Sequence, residues 1–291
     1  MSELDITLAD GRKLHVHDEG DPRGFPVVFH HGTPASGRLH PHDIEDARAK
    51  GIRLIGFDRA GYGRSDAHFG RSFGDVAADV AGMLDALGAD RFATWGHSGG
   101  GPHALACAAL LPHRCAAAAT LASLAPYDAD GLDFLAGMGE LNVQEFGLVL
   151  EGGEALEAAI RRTQEEMFSA GPEALRQGML TVLSPLDQAA MTGEFAAWGY
   201  RVMSEGAAER IEGWRDDDLA MVKPWGFDVA DIRVPVLLLQ GTEDLMVPPA
   251  HGRWLAERIP GVEARFSDSE GHLTLLAHRV TDVHAWLLAR S

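Results

Sequence analysis

Phe92-Ala93-Thr94-Trp95-Gly96-His97-Ser98-Gly99-Gly100-Gly101 runs from a short apolar strand through a glycine-rich turn toward a helix. A serine on so tight a turn needs glycine two positions to either side, because a Cβ there would collide with the neighbouring strand and helix. The turn lifts the hydroxyl of Ser98 clear of the carboxyl edge of a sheet. It also places that hydroxyl near a helix N-terminus, whose free N–H groups favour developing negative charge.

Working outward, strands and helices alternate. Leu4 to Leu8 and Leu14 to Val16 read as strands joined by the turn Ala9-Asp10-Gly11-Arg12, with His15 and His17 on the face opposite Leu14 and Val16. The continuous apolar runs at 26–30, 52–57, 92–95, 116–121 and 234–239 have the character of strands covered on both faces, and a last strand falls at 263–266. Ser72 is placed to cap a helix carrying Val76, Val80, Met83, Leu84 and Leu87, with Gly88 as its stop. Further helices are expected near 252–258 and over 273–288.

From Tyr127 to Trp225 no strand pattern is found. That stretch reads as helices near 132–137, 142–150, 154–168, 172–183 and 207–222, with Leu156, Ile160, Thr163 and Met167 on one face of the third. The expectation is an α/β fold with a mostly parallel eight-stranded sheet, helices on both faces and an inserted all-helical segment. Its parts would be a first core segment over 1–126, the insertion over 127–226 and a second core segment over 227–291.

Four stretches besides the serine turn carry a resemblance. His30-His31-Gly32-Thr33-Pro34 resembles an HGxP loop, and Asp58-Arg59-Ala60-Gly61-Tyr62-Gly63-Arg64-Ser65 a D-x-x-G-x-G-x-S turn. Gly241-Thr242-Glu243-Asp244 resembles an acid loop and Glu270-Gly271-His272 a late histidine loop. Together they make nearly the whole chain similar to the α/β-hydrolase fold superfamily, of the kind with a helical cap inserted after the sixth strand. The order nucleophile, acid, histidine is the one that family uses.

The resemblance implies Ser98 as nucleophile, His272 as general base and Asp244 as the carboxylate that orients it. Glu243 is the chemical rival of Asp244. Asp128 is a further alternative, since some relatives take their acid from the end of strand six. The oxyanion hole would be formed by the backbone N–H groups of Thr33 and Gly99. No cofactor and no metal are implied. A small or medium, largely apolar carboxylic ester is the expected substrate, under a cap bearing Met138, Met179, Met191, Met203, Phe195 and Trp198. The same machinery also serves amide, lactone and carbon–carbon bond hydrolysis and perhydrolysis. Relatives that act on epoxides or haloalkanes carry aspartate where this chain has Ser98. Aminopeptidase-like relatives hold a substrate amino group with acidic side chains, for which Glu140, Glu145, Glu151 and Glu194 are available. Outside catalysis, the fold also serves as a non-catalytic small-molecule receptor.

Composition narrows the partners. The 291 residues are 46% apolar with a formal net charge of −18, so a sizeable core is affordable and anionic partners are repelled. Nucleic acid and membrane surfaces are therefore excluded in favour of a small-molecule substrate. The two cysteines, Cys107 and Cys115, have no disulfide or zinc spacing, and Cys107 reads as core. A cytoplasmic location is expected, as the N-terminus has no secretory pattern. His15-Val16-His17-Asp18 and His40-Pro41-His42-Asp43 are read as a surface strand and a surface loop rather than metal ligands, and Asp216-Asp217-Asp218 as a solvated helix face.

Overall fold

The computed structural model describes residues 2–169 and 171–291. Eight strands, β1 (Ser2–Thr7), β2 (Lys13–Gly20), β3 (Phe25–His30), β4 (Ile52–Phe57), β5 (Phe92–His97), β6 (Cys115–Leu121), β7 (Val236–Gly241) and β8 (Glu263–Ser267), form one sheet. Their spatial order is β1-β2-β4-β3-β5-β6-β7-β8. β2 runs antiparallel to β1 and β4, while β4-β3-β5-β6-β7-β8 are all parallel.

Helices α1 (Pro41–Ala49), α2 (Val76–Ala86), α3 (Gly101–Leu110), α10 (Pro249–Arg258) and α11 (His272–Leu288) flank the sheet. Alternation along the strands divides the core in two. Val28 and Leu238 join Val16, Phe57, Val80 and Leu105 on one face, whereas Val27, Phe29, Leu237 and Leu239 join Trp95 and Val283 on the other. β6 is an alanine run that local propensity alone would make helical. It is buried along its whole length, and its short side chains let α3 and α11 pack closely on the middle of the sheet.

Between β6 and β7 the regular elements among the described residues are all helical: α4 (Glu140–Glu151), α5 (Gly153–Ser169), α6 (Pro172–Gly178), α7 (Pro185–Ala190), α8 (Gly193–Ala207) and α9 (Glu212–Met221), with short 3-10 turns. Tyr62 of the core is buried among Val149, Leu156, Ile160, Ala207, Ile211 and Trp214 of this insert. Among the described residues, no helix is long and apolar enough to cross a membrane.

Several local expectations fail for identifiable reasons. His40-Pro41-His42-Asp43 opens α1, with Pro41 at the first helical turn, where its missing N–H costs nothing. The stretch at 132–137 is a series of turns between Gly131 and Gly137, both at positive φ. α7 and α8 had no counterpart in the sequence reading, and the helix expected over 207–222 begins only at Glu212. Ser72 is not the cap of α2; its N–H and hydroxyl both donate to Asp75 instead.

Candidate active site

Ser98 sits at the end of β5 with φ +56°, in the left-handed region that a residue with a side chain occupies only when the surroundings impose it. The surroundings are visible. A Cβ on Gly96 would lie 2.1 Å from the carbonyl oxygen of Gly100, and one on Gly100 would lie 2.1 Å from that of His30. Only glycine at both positions lets the chain fold back through Ser98 onto the sheet.

Asp244 and His272 come together although 28 residues separate them: Nδ1 of His272 donates to Oδ2 of Asp244 at 2.8 Å. The second oxygen of Asp244 accepts the N–H groups of Met246 and Val247, each at 2.8 Å. The carboxylate is therefore fixed by its own loop before it meets the imidazole. Burial works against a charged His272, but the Asp244 charge and hydrogen bond outweigh it and hold the imidazole above its ordinary value, with a smaller contribution from Asp187. Glu243 and Asp128 are both exposed, so Asp244 is the carboxylate on this histidine. Ser98 and His272 open onto one cavity of about 360 Å³, together with Thr33.

Thr33 and Gly99 lie side by side, since a Cβ on Gly99 would be 2.4 Å from the Thr33 hydroxyl. The loop carrying Thr33 is held by Arg59, which donates from its guanidinium to the His31 carbonyl and from its backbone N–H to His31 Nε2. The turn after β4 locks itself: Asp58 accepts the N–H groups of Gly37 and Arg64, and Ser65 donates to the Asp58 carbonyl. His97 packs against the His272 ring at 4.7 Å and bonds its carbonyl oxygen, yet burial and the neighbouring His272 charge push its own pKa down to about 3. It is a neutral support.

The cavity is mostly apolar. Met179, Met191, Met203, Phe195 and Trp198 line it, whereas Met138 is buried in the main core. Glu145 and Asp218 line it too, with Trp214 Nε1 donating to Glu145 at 3.0 Å. Burial raises the pKa of both acids, and Glu145 and Asp217 push Asp218 up further.

The solvated-face reading of Asp216-Asp217-Asp218 is wrong, because all three are buried. Asp217 accepts from Arg59 at 2.6 Å, from Tyr62 at 2.8 Å and from the Thr33 hydroxyl at 2.6 Å, with Arg71 at 2.6 Å on its other oxygen. Burial alone would raise it, but the two guanidinium groups hold it well below the usual carboxylate range. The spacing Trp214, Asp217, Met221 puts this aspartate on the buried stripe of α9, a signal the charge run obscured. Asp187 lies outside every motif singled out in the sequence, yet it is fully buried and accepts the backbone N–H of His272. His15 and His17 are likewise no surface residues. They are buried on the second face of β2, where His15 Nδ1 meets Asp5 at 2.7 Å.

The alpha/beta hydrolase fold family model matches residues 26–278. A non-heme chloroperoxidase of Streptomyces lividans is 31% identical over 251 residues, covering 84% of this chain and 83% of that protein. A bifunctional esterase/perhydrolase of Acinetobacter calcoaceticus is 27% identical over 84% of this chain and 83% of its own. Among solved structures, a thermophilic esterase from Thermogutta terrifontis superposes with a TM-score of 0.72 at 22% identity, covering 100% of both chains. The chain belongs to the alpha/beta hydrolase fold family.

Proposed function

We propose that the protein is a serine hydrolase that cleaves a small or medium, largely apolar carboxylic ester through an acyl-enzyme on Ser98. The observation that carries this reading is the buried His272–Asp244 hydrogen bond opening onto the same cavity as a serine held at positive φ.

In the proposed reaction the Ser98 Oγ attacks the ester carbonyl while His272 Nε2 takes its proton. Asp244 keeps the other ring nitrogen protonated and stabilises the imidazolium. The N–H groups of Thr33 and Gly99 receive the oxyanion, each worth about 3 kcal/mol in a water-poor site. His272 then protonates the departing alkoxide, and water attacks the acyl-enzyme with the same histidine as base. The apolar lining supports acyl groups without charge, and a relative named as an esterase and perhydrolase lends support to ester chemistry.

One observation favours a second reading. Glu145 and Asp218 share the cavity with Ser98, burial raises the pKa of both, and the Glu145 charge raises Asp218 further. An acidic pair at the cavity wall suits a substrate bearing an amino group, as in aminopeptidase-like cleavage. Parallel assays of p-nitrophenyl esters from acetate to decanoate, a γ-lactone and aminoacyl p-nitroanilides separate the readings. Ester turnover that peaks at medium chain length supports the first. Turnover confined to the anilides replaces it with the second.

A further inference from the structure

We infer that Asp187, from the helical insert, is the positioning residue that fixes His272 from the side opposite Asp244. The inference rests on the proposed roles of Ser98, Asp244 and His272.

The first N–H groups of any helix lack partners within it and are ordinarily met by a side chain at the preceding position. For α11 that position is Gly271, which has no side chain. The partner comes instead from 85 residues earlier in the chain. Oδ2 of Asp187 accepts the N–H of His272 at 3.0 Å, and Oδ1 accepts those of Leu273 at 2.7 Å and Thr274 at 3.0 Å. One fully buried carboxylate thus serves three successive backbone donors.

The arrangement is built for this contact. A Cβ on Gly271 would lie 2.3 Å from Oδ2 of Asp187, so glycine there clears the space the carboxylate occupies. Ser184 donates its hydroxyl to the same oxygen at 2.9 Å and accepts the Asp187 N–H at 3.2 Å, which fixes the carboxylate's orientation. His272 is the first residue of α11, where fraying begins. Its ring is held by Asp244 from the loop after β7, its carbonyl by His97, and its N–H by the insert. Loss of the last contact frees the backbone that sets where Nε2 points. A misplacement of about 1 Å at such a base can cost on the order of a hundredfold in rate.

The charge adds a second effect. The titratable groups that bear on His272 are Asp244 from the loop after β7, His97 from β5 and Asp187 from α7, and Glu145 and Asp218 line the same cavity. Removing the Asp187 charge takes away one of the contributions that favour the protonated imidazole.

The test compares wild type with Asp187→Asn and Ser184→Ala, each first shown to be folded by thermal melting. Three readouts are taken: rate of Ser98 labelling by a fluorophosphonate, the acid limb of kcat/KM for the preferred p-nitrophenyl ester, and amide hydrogen exchange of the peptide spanning 272–274. Asp187→Asn is expected to slow labelling tenfold or more, to lower kcat more than it changes KM, to move the acid limb to lower pH and to speed exchange at 272–274. Ser184→Ala, which keeps the charge, is expected to slow labelling severalfold with the acid limb in place, and it carries the test if Asp187→Asn does not fold. The inference is overturned by a folded Asp187→Asn with the wild-type labelling rate, an unmoved limb or unchanged exchange at 272–274, or, where that variant does not fold, by Ser184→Ala labelled at the wild-type rate. A wild type that is never labelled, while Asp187→Asn still speeds exchange at 272–274, overturns the catalytic reading and leaves Asp187 a purely structural cap.

Discussion

The hydroxyl of Thr33 donates to Asp217 at 2.6 Å, joining the loop after β3 to α9 of the insert across 184 residues of sequence. The same carboxylate neutralises Arg59 and Arg71, whose side chains are 1% and 4% exposed. The loop that would supply one oxyanion donor is thus anchored on a buried charge cluster belonging to both parts of the chain. Removing the shared anion leaves two buried guanidinium groups facing each other. Asp217→Ala is expected to cost about 3–5 kcal/mol, measured as a fall in the urea midpoint at unchanged slope. A loss below about 1 kcal/mol shows that Arg59 and Arg71 find other partners.

Asp217 also sets an acid limit on stability. Its folded pKa lies well below the usual value, so its contribution is complete above the unfolded pKa of about 3.9 and is lost as pH falls through the lower, folded value. Asp43 behaves oppositely. Burial, with help from Asp46, pushes it up to about 8. The folded state therefore keeps a proton that the unfolded state releases above about pH 4, and stability declines as pH rises between those values. Asp43→Asn is expected to match wild type near pH 4 and to exceed it by on the order of 1–3 kcal/mol at pH 8.5, read from urea denaturation at the two pH values.

Asp244→Asn should reduce kcat by about a thousandfold or more, because the amide no longer holds the imidazole tautomer that leaves Nε2 free. The base must be neutral to act, so activity rises as pH rises through the raised pKa of His272. Removing the Asp244 charge lowers that pKa. The residual activity should therefore have its acid limb at lower pH, checked by kcat/KM profiles of both proteins between pH 4 and 9.

Gly100→Ala brings a methyl to 2.1 Å from the His30 carbonyl and 2.6 Å from that of His31, both backbone atoms that cannot swing away. The expected loss is about 3 kcal/mol or more, seen in thermal melts. Gly147→Ala, inside α4 with nothing within 4 Å of the added Cβ, is the control. It should gain about 0.5–1 kcal/mol from helix propensity.

The sheet was legible because its signals are local. Buried parallel strands such as Val27-Val28-Phe29 and Val236-Leu237-Leu238-Leu239 are continuous apolar runs, and the glycines around Ser98 report a backbone constraint that no other residue meets. Asp244 and His272 were legible as motif positions, and their contact follows once β7 and α11 are placed. What stayed hidden depends on distant partners. Ser184-Pro185-Leu186-Asp187 has the spacing of a local helix cap, and the cap is formed, but nothing in those four residues tells that the carboxylate also serves the N–H groups of 272–274. Asp217 looks solvated until Arg59 and Arg71 are brought to it from the other side of the chain. His15 and His17 alternate as in a half-exposed strand, yet they are buried and line a pocket with Ser36, Arg38 and residues between Ser204 and Arg210, all distant in sequence.

The central claim is a single nucleophilic hydroxyl in a working relay, and intact-mass analysis after treatment with a fluorophosphonate tests it most directly. The account predicts one adduct per chain, mapped by peptide sequencing to Ser98, absent in Ser98→Ala and slowed at least a hundredfold in Asp244→Asn. An unmodified wild type, or an adduct that persists in Ser98→Ala, contradicts it.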